Sequence, residues 1–183
     1  PMESITMPMI AERAGIAVGT LYGRFDSREA LIPVTFEIYE ARLLAFMGAE
    51  GRIEIDEADG LYSTLKRAVG VAWTFLVANR NLTRAVFAYG RQYPELVGEE
   101  WTGYLETAVE NMRKLLELYA DEIRIDDLDR AARMLTYLLN AIPTDLGHYG
   151  RDGVGAALKV SPDDFIEDVT RTLYGYLTAR PER

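Results

Sequence analysis

Several kinds of residue are absent or scarce in this 183-residue sequence, and each shortage excludes a class of function. There is no cysteine, which excludes disulfides, thiolate nucleophiles and thiolate metal sites. The single histidine, His148 in a glycine-rich loop, has no set of carboxylates at ligand spacing to work with. We therefore predict no catalytic residue, no metal ion and no cofactor, and we expect that the protein is not an enzyme.

The sequence also lacks long apolar runs, and its acidic residues outnumber its basic ones. No apolar run approaches the roughly 18 residues of a membrane span, and the sequence does not open on a signal-peptide pattern. We therefore expect a cytoplasmic protein with no membrane contact. The net charge is −9, from 20 basic and 29 acidic residues. This balance argues against a protein that coats nucleic acid non-specifically, so any DNA binding has to depend on the geometry of a motif.

Helical spacing of apolar residues dominates the sequence from end to end, and strand patterns are almost absent. We predict an all-α fold with two parts, residues 1–47 and residues 48–183. The glycine- and acid-rich stretch 48–60 is the best candidate for the junction. The last two long helices, at about 126–147 and 162–179, carry more apolar surface than one core needs, which favours a partner surface there.

The first part contains two short helices and the start of a longer one. Thr6 is typical of an N-cap, Gly15 suits a left-handed turn residue, and a second helix is expected over Ala17–Arg24. Asp26 to Glu29 resemble a capping box, from which a helix would run to about Met47. Pro33 would then lie inside that helix and kink it, either as a fixed bend or as part of a switch.

The stretch from Thr6 to Leu31 resembles the DNA-binding signature of the tetracycline-repressor (TetR) family. Its core in this interpretation is Ile10, Ala14, Ile16, Leu21 and Phe25, with the small Ala11 and Gly15 at the turn. The matching pieces are Ile10-Ala11, Ala14-Gly15-Ile16, Gly19-Thr20-Leu21-Tyr22, Phe25 and Ser27-Arg28-Glu29-Ala30-Leu31. The resemblance implies a helix-turn-helix whose second helix enters the major groove of DNA, followed by a larger helical domain for ligand binding and dimerisation.

The resemblance also implies roles for individual residues. Those expected near base edges are Ala17, Val18, Thr20 and Gly23, and those expected at phosphates are Thr6, Tyr22 and Arg28. Aromatic residues of the larger domain are candidates for a ligand pocket, although each one taken singly fits ordinary core packing better. The ligand-binding residues predicted in this way are Trp73, Phe87, Trp101, Tyr104 and Tyr137.

Two departures from the family pattern bear on DNA binding. Alanine at position 17 replaces the usual serine or threonine cap of the second helix, which forgoes about 1 kcal/mol. The family's first helix has no counterpart before Thr6, so we expect either that the true start is missing or that the DNA-binding domain is incomplete.

The predicted function is a ligand-responsive transcriptional regulator, in the form of a repressor that a small-molecule effector releases from operator DNA. By resemblance it is a homodimer that pairs through the helices at about 126–147 and 162–179. The alternative is a helical small-molecule-binding or scaffolding protein without effective DNA binding.

Overall fold

The computed structural model describes residues 5–49, 57–149 and 160–179, and within these ranges the chain forms helices and turns without any strand. Short 3-10 turns, Glu57–Asp59 and Pro94–Leu96, lie just before the fourth and sixth helices. The α-helices are α1 (Met7–Ala14), α2 (Val18–Tyr22), α3 (Leu31–Ala49), α4 (Gly60–Ala78), α5 (Arg80–Gln92), α6 (Gly98–Leu118), α7 (Leu128–Tyr149) and α8 (Pro162–Thr178). The prediction of an all-α fold is confirmed.

The turn between α1 and α2 forms as its residues dictate. Thr6 has extended backbone angles, and its hydroxyl accepts a hydrogen bond of 3.4 Å from the Met9 amide, which caps α1. At the other end Gly15 adopts φ 68°, a left-handed conformation that favours glycine. The Gly15 and Ile16 amides donate back to the Glu12 and Ala11 carbonyls, the pattern of a Schellman motif. The chain therefore turns sharply into α2, which is shorter than the predicted Ala17–Arg24.

The two short helices share a small core, which we call the head core. Its buried members are Met7, Ala11 and Leu21, with Ile10, Phe25 and Leu31 packed against them. The expectation that Ala14 and Ile16 belong to this core was wrong, because both are exposed: the Schellman turn leaves Ile16 41% accessible.

The start of α3 differs from the prediction. The helix begins at Leu31 and not at Asp26. Just before it, Ser27 Oγ accepts a hydrogen bond of 3.3 Å from the Ala30 amide. Pro33 therefore lies in the first turn of α3, where a backbone N–H has no helical partner to lose. The predicted kink at Pro33 has no basis in this geometry.

Among the described residues, the cluster with the most buried apolar side chains lies between α4, α6, α7 and α8, and we call it the aliphatic core. Leu61, Leu65 and Val69 of α4 meet Leu173 and Leu177 of α8 there, and all five are fully buried. The start of α4 is fixed by Glu122, whose carboxylate accepts the Leu61 amide at 2.9 Å. The other buried members are Leu116, Tyr119, Ile123, Ala131, Ala132, Leu135, Phe165 and Val169.

The predicted junction and the last loop are only partly covered. The junction was expected at 48–60, and positions 50–56 of it lie outside the described residues. The α7 backbone continues through His148 to Tyr149, so this histidine belongs to a helix and not to the loop where we expected it. No helix in the described ranges is both long and apolar enough to cross a membrane.

Candidate DNA-binding and ligand sites

Helix α2 presents nearly all of its side chains to solvent. Leu21 faces the head core and is 5% exposed, whereas Val18 and Tyr22 are 38% and 50% exposed. Ala17, Thr20 and Gly23 are exposed as well. A short helix that is held by one buried leucine and is otherwise bare can lie in a groove of matching width, which is how a recognition helix reads the major groove.

The predicted phosphate-binding residues lie at the edges of this unit. Thr6 is exposed at the start of α1, and Tyr22 is exposed at the end of α2. Ala17 takes the N-cap position of α2 with φ −69° and ψ 142° and makes no side-chain capping bond, as we predicted for an alanine there.

Arg28 is held by the protein itself. Its Nη2 and Nε donate to Glu29 Oε1 at 2.8 and 3.2 Å, and its Nη1 donates to the Ile5 carbonyl at 3.2 Å. The hydrogen bond to Glu29 raises the pKa of Arg28, and the phenols of Tyr89 and Tyr93 on the α5 side interact with its charge. Arg28 thus joins the chain before α1 to the segment before α3, close to the end of α5.

A second cluster of buried residues, which we call the aromatic cluster, lies between α3, the end of α4, α5 and the start of α6. Its buried members are Ile32, Phe36, Tyr39, Phe75, Val86 and Val97. Trp101 is its centre: its ring lies 5.3 Å from Phe36, 5.7 Å from Phe87 and 5.3 Å from Tyr104, edge-on to the first two and stacked on the third.

Close approach of two helices shapes this cluster. Helix α5 passes so near α3 that a Cβ added at Gly90 would lie 3.1 Å from Phe36 Cζ. Glycine at position 90 therefore allows the Phe36 ring to stand edge-on to Trp101.

A groove between α3 and α6, which we call the α3/α6 groove, opens on one side of the aromatic cluster. The groove is shallow: its enclosed cavity is about 20 Å³, room for about one water molecule, so a larger ligand needs α3 and α6 to move apart. Its walls are aromatic, and two carboxylates stand on the α3 side. The lining residues are Pro33, Phe36, Glu37, Tyr39, Glu40, Val97, Trp101 and Tyr104.

The two phenols in the groove are held neutral. Burial raises the pKa of Tyr39, which is only 4% exposed, well above its ordinary value. Burial also raises the pKa of Tyr104 to about 12, and the nearby charge of Glu40 acts in the same direction. Both hydroxyls are therefore dipoles and not anions at neutral pH.

Among the five predicted ligand-binding residues, the structure brings three together. Trp101 and Tyr104 line the groove, and Phe87 packs edge-on to Trp101. Trp73 lies elsewhere, with its ring 4.9 Å from Phe165 against the aliphatic core. Tyr137 is 67% exposed on α7 and is not part of the groove.

The residues that α3 contributes to the groove were not predicted. Phe36 and Tyr39 stand three positions apart, as do Glu37 and Glu40, so each pair recurs at about one helical turn. That spacing was a usable signal, but α3 is apolar on several sides, and the sequence alone does not show which side meets α6.

The helices expected to pair two subunits leave apolar side chains on the surface. Met134 and Tyr137 of α7, three residues apart and so on one face, are 42% and 67% exposed. For residues 142–149 of α7 the structure describes the backbone alone. Within the described parts of the chain, no cluster of three or more His, Cys, Asp or Glu side chains could hold a metal ion.

Comparison with known proteins agrees with the fold. The model of a family described as bacterial regulatory proteins, tetR family, matches residues 1–33. Among solved structures, the TetR family transcriptional regulator PfmR from Thermus thermophilus is 19% identical with a TM-score of 0.66, over 100% of this chain and 92% of that one. No curated protein matches the chain by sequence.

Two further structures are similar in fold. The fatty acid degradation regulator FadR from Bacillus halodurans is 21% identical with a TM-score of 0.65, over 95% of this chain and 86% of that one. A protein with unknown function from Rhodococcus sp. RHA1 is 18% identical with a TM-score of 0.61, over 96% and 86%. At these identities the likeness shows the fold alone.

Residues 1–33 thus match the model of the tetR family of bacterial regulatory proteins, and the exposed surface of α2 is the geometry that a helix-turn-helix in this stretch requires.

Proposed function

We propose that this protein is a repressor that binds operator DNA as a two-fold dimer and is released when a small molecule occupies the α3/α6 groove. The observation that carries the proposal is the position of α3. This one helix begins in the head core with Leu31 and, from Ile32 onwards, contributes to the aromatic cluster beside the groove.

Contact with DNA is assigned to α2. Its exposed Val18, Thr20 and Tyr22 can approach base edges and the neighbouring sugar–phosphate chain, while Thr6 at the start of α1 can meet a phosphate. No basic residue lies in Val18–Tyr22, so specificity would depend on hydroxyl and apolar contacts and on the fit of the helix.

The packing around α3 gives a route by which a ligand in the groove would affect α1 and α2. A ligand that enters between α3 and α6 presses on Phe36 and Tyr39, and α3 carries Leu31 into the head core. Arg28 adds a second link, because it bonds Glu29 and Ile5 and its charge also interacts with Tyr89 of α5 and with Tyr93 just after that helix. Release from DNA requires that the ligand favour a head orientation that the operator disfavours.

Dimerisation is assigned to α7 and α8. The exposed Met134 and Tyr137 leave an apolar strip on α7 that a second copy would cover. A two-fold pair presents its two α2 helices to successive major grooves, which predicts a near-palindromic operator.

A shift assay with the DNA upstream of the protein's own gene tests the proposal. We expect a retarded complex that contains one dimer and that survives excess unrelated DNA. Tyr22→Ala should weaken it about tenfold, because Tyr22 contacts DNA in this mode of binding. The control is Thr102→Ala, which removes an exposed side chain from α6 and should leave the affinity unchanged.

The second candidate function is a helical ligand-binding protein without effective DNA binding, which the net charge of −9 favours. Sequence-independent or absent binding by the full chain, with Tyr22→Ala indistinguishable from the parent, would establish this second function and end the first.

A further inference from the structure

We infer that Arg28 is a positioning residue of the helix-turn-helix, which fixes the start of α1 against the turn before α3 and acts on DNA binding through that geometry. The inference rests on the proposed function in taking operator DNA as the partner of α2. It goes further by assigning how one residue affects that binding. This role differs from the one expected from the sequence, which was contact between Arg28 and a DNA phosphate.

The guanidinium of Arg28 joins two segments that lie 23 positions apart in the sequence. Its Nη1 donates to the carbonyl of Ile5, the residue directly before the Thr6 cap of α1, at 3.2 Å. Its Nη2 and Nε donate to Glu29 Oε1 at 2.8 and 3.2 Å, in the turn that leads into α3. At least three of the five guanidinium N–H groups therefore donate to acceptors within the protein.

The other contacts that hold α1 in place are few. The buried members of the head core are Met7, Ala11 and Leu21, and the capping bond from the Met9 amide to the Thr6 hydroxyl is long at 3.4 Å. A planar guanidinium fixes the directions of its hydrogen bonds. The bridge therefore restricts both the position and the direction of the chain where α1 begins.

The charge of Arg28 is already balanced within the protein. The hydrogen bond to Glu29 raises the pKa of Arg28, and the same bond lowers the pKa of Glu29. The Arg28 side chain is 24% exposed, and its charge also interacts with Tyr89 of α5 and with Tyr93 just after that helix. A phosphate would have to compete with the Glu29 carboxylate for the guanidinium, which reduces the electrostatic gain from such a contact.

A second arginine of the same region provides the contrast. Arg24 is exposed just after α2, and in the parts of the chain that the structure describes it forms no ion pair. Arg24 can turn towards a phosphate without the loss of an internal ion pair, whereas Arg28 cannot. The two arginines thus carry the same charge in different settings, and comparison of their variants separates charge from position.

The two roles of Arg28 predict opposite results when Glu29 is changed. If Glu29 holds Arg28 in place, Glu29→Gln should weaken operator binding about fivefold, because the hydrogen bonds lose their charge assistance. If Arg28 contacted a phosphate, the same variant would release it from Glu29 and remove a negative charge, so binding would tighten. The control is Glu12→Gln, which removes a negative charge from the exposed surface of α1 and should leave binding unchanged or slightly tighter.

Substitutions of Arg28 itself separate geometry from charge. Arg28→Gln should weaken operator binding about tenfold and change the slope of log affinity against log salt by less than about 0.5, whereas the loss of a phosphate contact lowers that slope by about 0.9. Arg28→Lys should weaken binding nearly as much, because an ammonium lacks the planar fork that holds Glu29 and Ile5 together. A lysine would keep a phosphate contact. Arg24→Gln is the matched control for the loss of one positive charge.

Hydrogen exchange tests the bridge without DNA. In Arg28→Gln and Glu29→Gln the amides of Ala11 and Glu12 in α1 should exchange faster, because the start of the helix is held less firmly. The amide of Val69, in the aliphatic core, should exchange at the parent rate. The circular dichroism spectrum and the urea midpoint should stay at the parent values, since both side chains are partly exposed.

The outcomes separate this inference from the proposed function. Unchanged or tighter operator binding by Glu29→Gln, full binding by Arg28→Lys, a fall of about 0.9 in the salt slope of Arg28→Gln, or unchanged exchange in α1 would each overturn the inference. If the parent chain still binds its operator in those cases, the proposed function stands without it. If the parent chain binds no operator, the proposed function fails, and the exchange of the α1 amides decides whether Arg28 holds α1.

Discussion

The head core and the aliphatic core differ greatly in size, although both hold helices of one chain. Among the described residues, the head core buries three, Met7, Ala11 and Leu21, whereas the aliphatic core buries thirteen between four helices. We call α1 and α2 the head, and α4, α6, α7 and α8 the bundle. Because burial of apolar surface is the main stabilising term in folding, the free energy of local opening should be much lower for the head than for the bundle.

The aromatic cluster lies between these two extremes and shares α3 with the head. Under the proposed function, a ligand between α3 and α6 would act on α1 and α2 through α3, which also packs in the aromatic cluster. If α1 and α2 are only marginally stable, a ligand that binds one of their orientations a few kcal/mol more favourably is enough to shift the population.

The largest expected effect compares equal truncations in the two cores. Leu135→Ala should lower the free energy of unfolding by about 2–5 kcal/mol, because Leu135 is fully buried in the aliphatic core and its truncation leaves a cavity there. Leu21→Ala should leave the main unfolding transition nearly unchanged and should abolish operator binding. Urea unfolding followed by circular dichroism, together with the shift assay, measures both.

This comparison fails if the chain unfolds in a single transition and Leu21→Ala lowers its urea midpoint as much as Leu135→Ala does. The head and the bundle would then unfold as one cooperative unit, and a ligand could not shift the head alone. Leu118→Ala is the matched control, since Leu118 is 46% exposed at the end of α6 and its truncation leaves no cavity.

A medium effect concerns the two helix caps of the head. Ala17 already has the extended backbone of an N-cap but no side-chain oxygen, so Ala17→Ser should stabilise α2 by about 1 kcal/mol. Thr6→Ala should destabilise α1 by a similar or smaller amount, because its present capping bond is long at 3.4 Å. Native-state hydrogen exchange of the Leu21 amide reports the local opening.

Exchange of amides in the aliphatic core should not respond to either cap variant. Ala14→Ser serves as the control, since it adds the same hydroxyl in the last turn of α1, where it cannot cap. Slower exchange throughout the chain in Ala17→Ser would mean that the head and the bundle open together.

Local chemistry made much of the head predictable from its sequence. Thr6, Gly15 and the uncapped Ala17 each determine backbone geometry within a few residues, and the structure shows all three as expected. The start of α3 was mispredicted because both Asp26 and Ser27 are good caps, and the choice between them depends on where the Arg28 and Glu29 turn packs.

The groove was only half predictable for a different reason. Trp101, Tyr104 and Phe87 were recognisable as a set of aromatic residues, but Trp73 belonged to the same set and lies against Phe165 instead. Which helix faces which is a long-range property. The pairing of α3 with α6, and with it the position of Glu37 and Glu40 beside the groove, depends on tertiary packing that a single sequence does not specify.

The smallest expected effect is a pH-dependent one, at the surface where α8 meets α4. Glu167 accepts hydrogen bonds from Lys66 Nζ at 2.7 Å and Tyr62 at 2.6 Å, and these lower its pKa from 4.5 to about 2. A carboxyl whose pKa is lower in the folded state stabilises the fold above pH 4.5 and loses that contribution as the pH falls towards 2. Glu167→Gln should therefore lower the urea midpoint slightly at pH 7, and the difference should shrink at pH 3. Asp168→Asn removes a charge from the adjacent exposed residue as a control. A difference for Glu167→Gln that is the same at both pH values would mean that the ionised carboxylate does not stabilise the contact between α4 and α8.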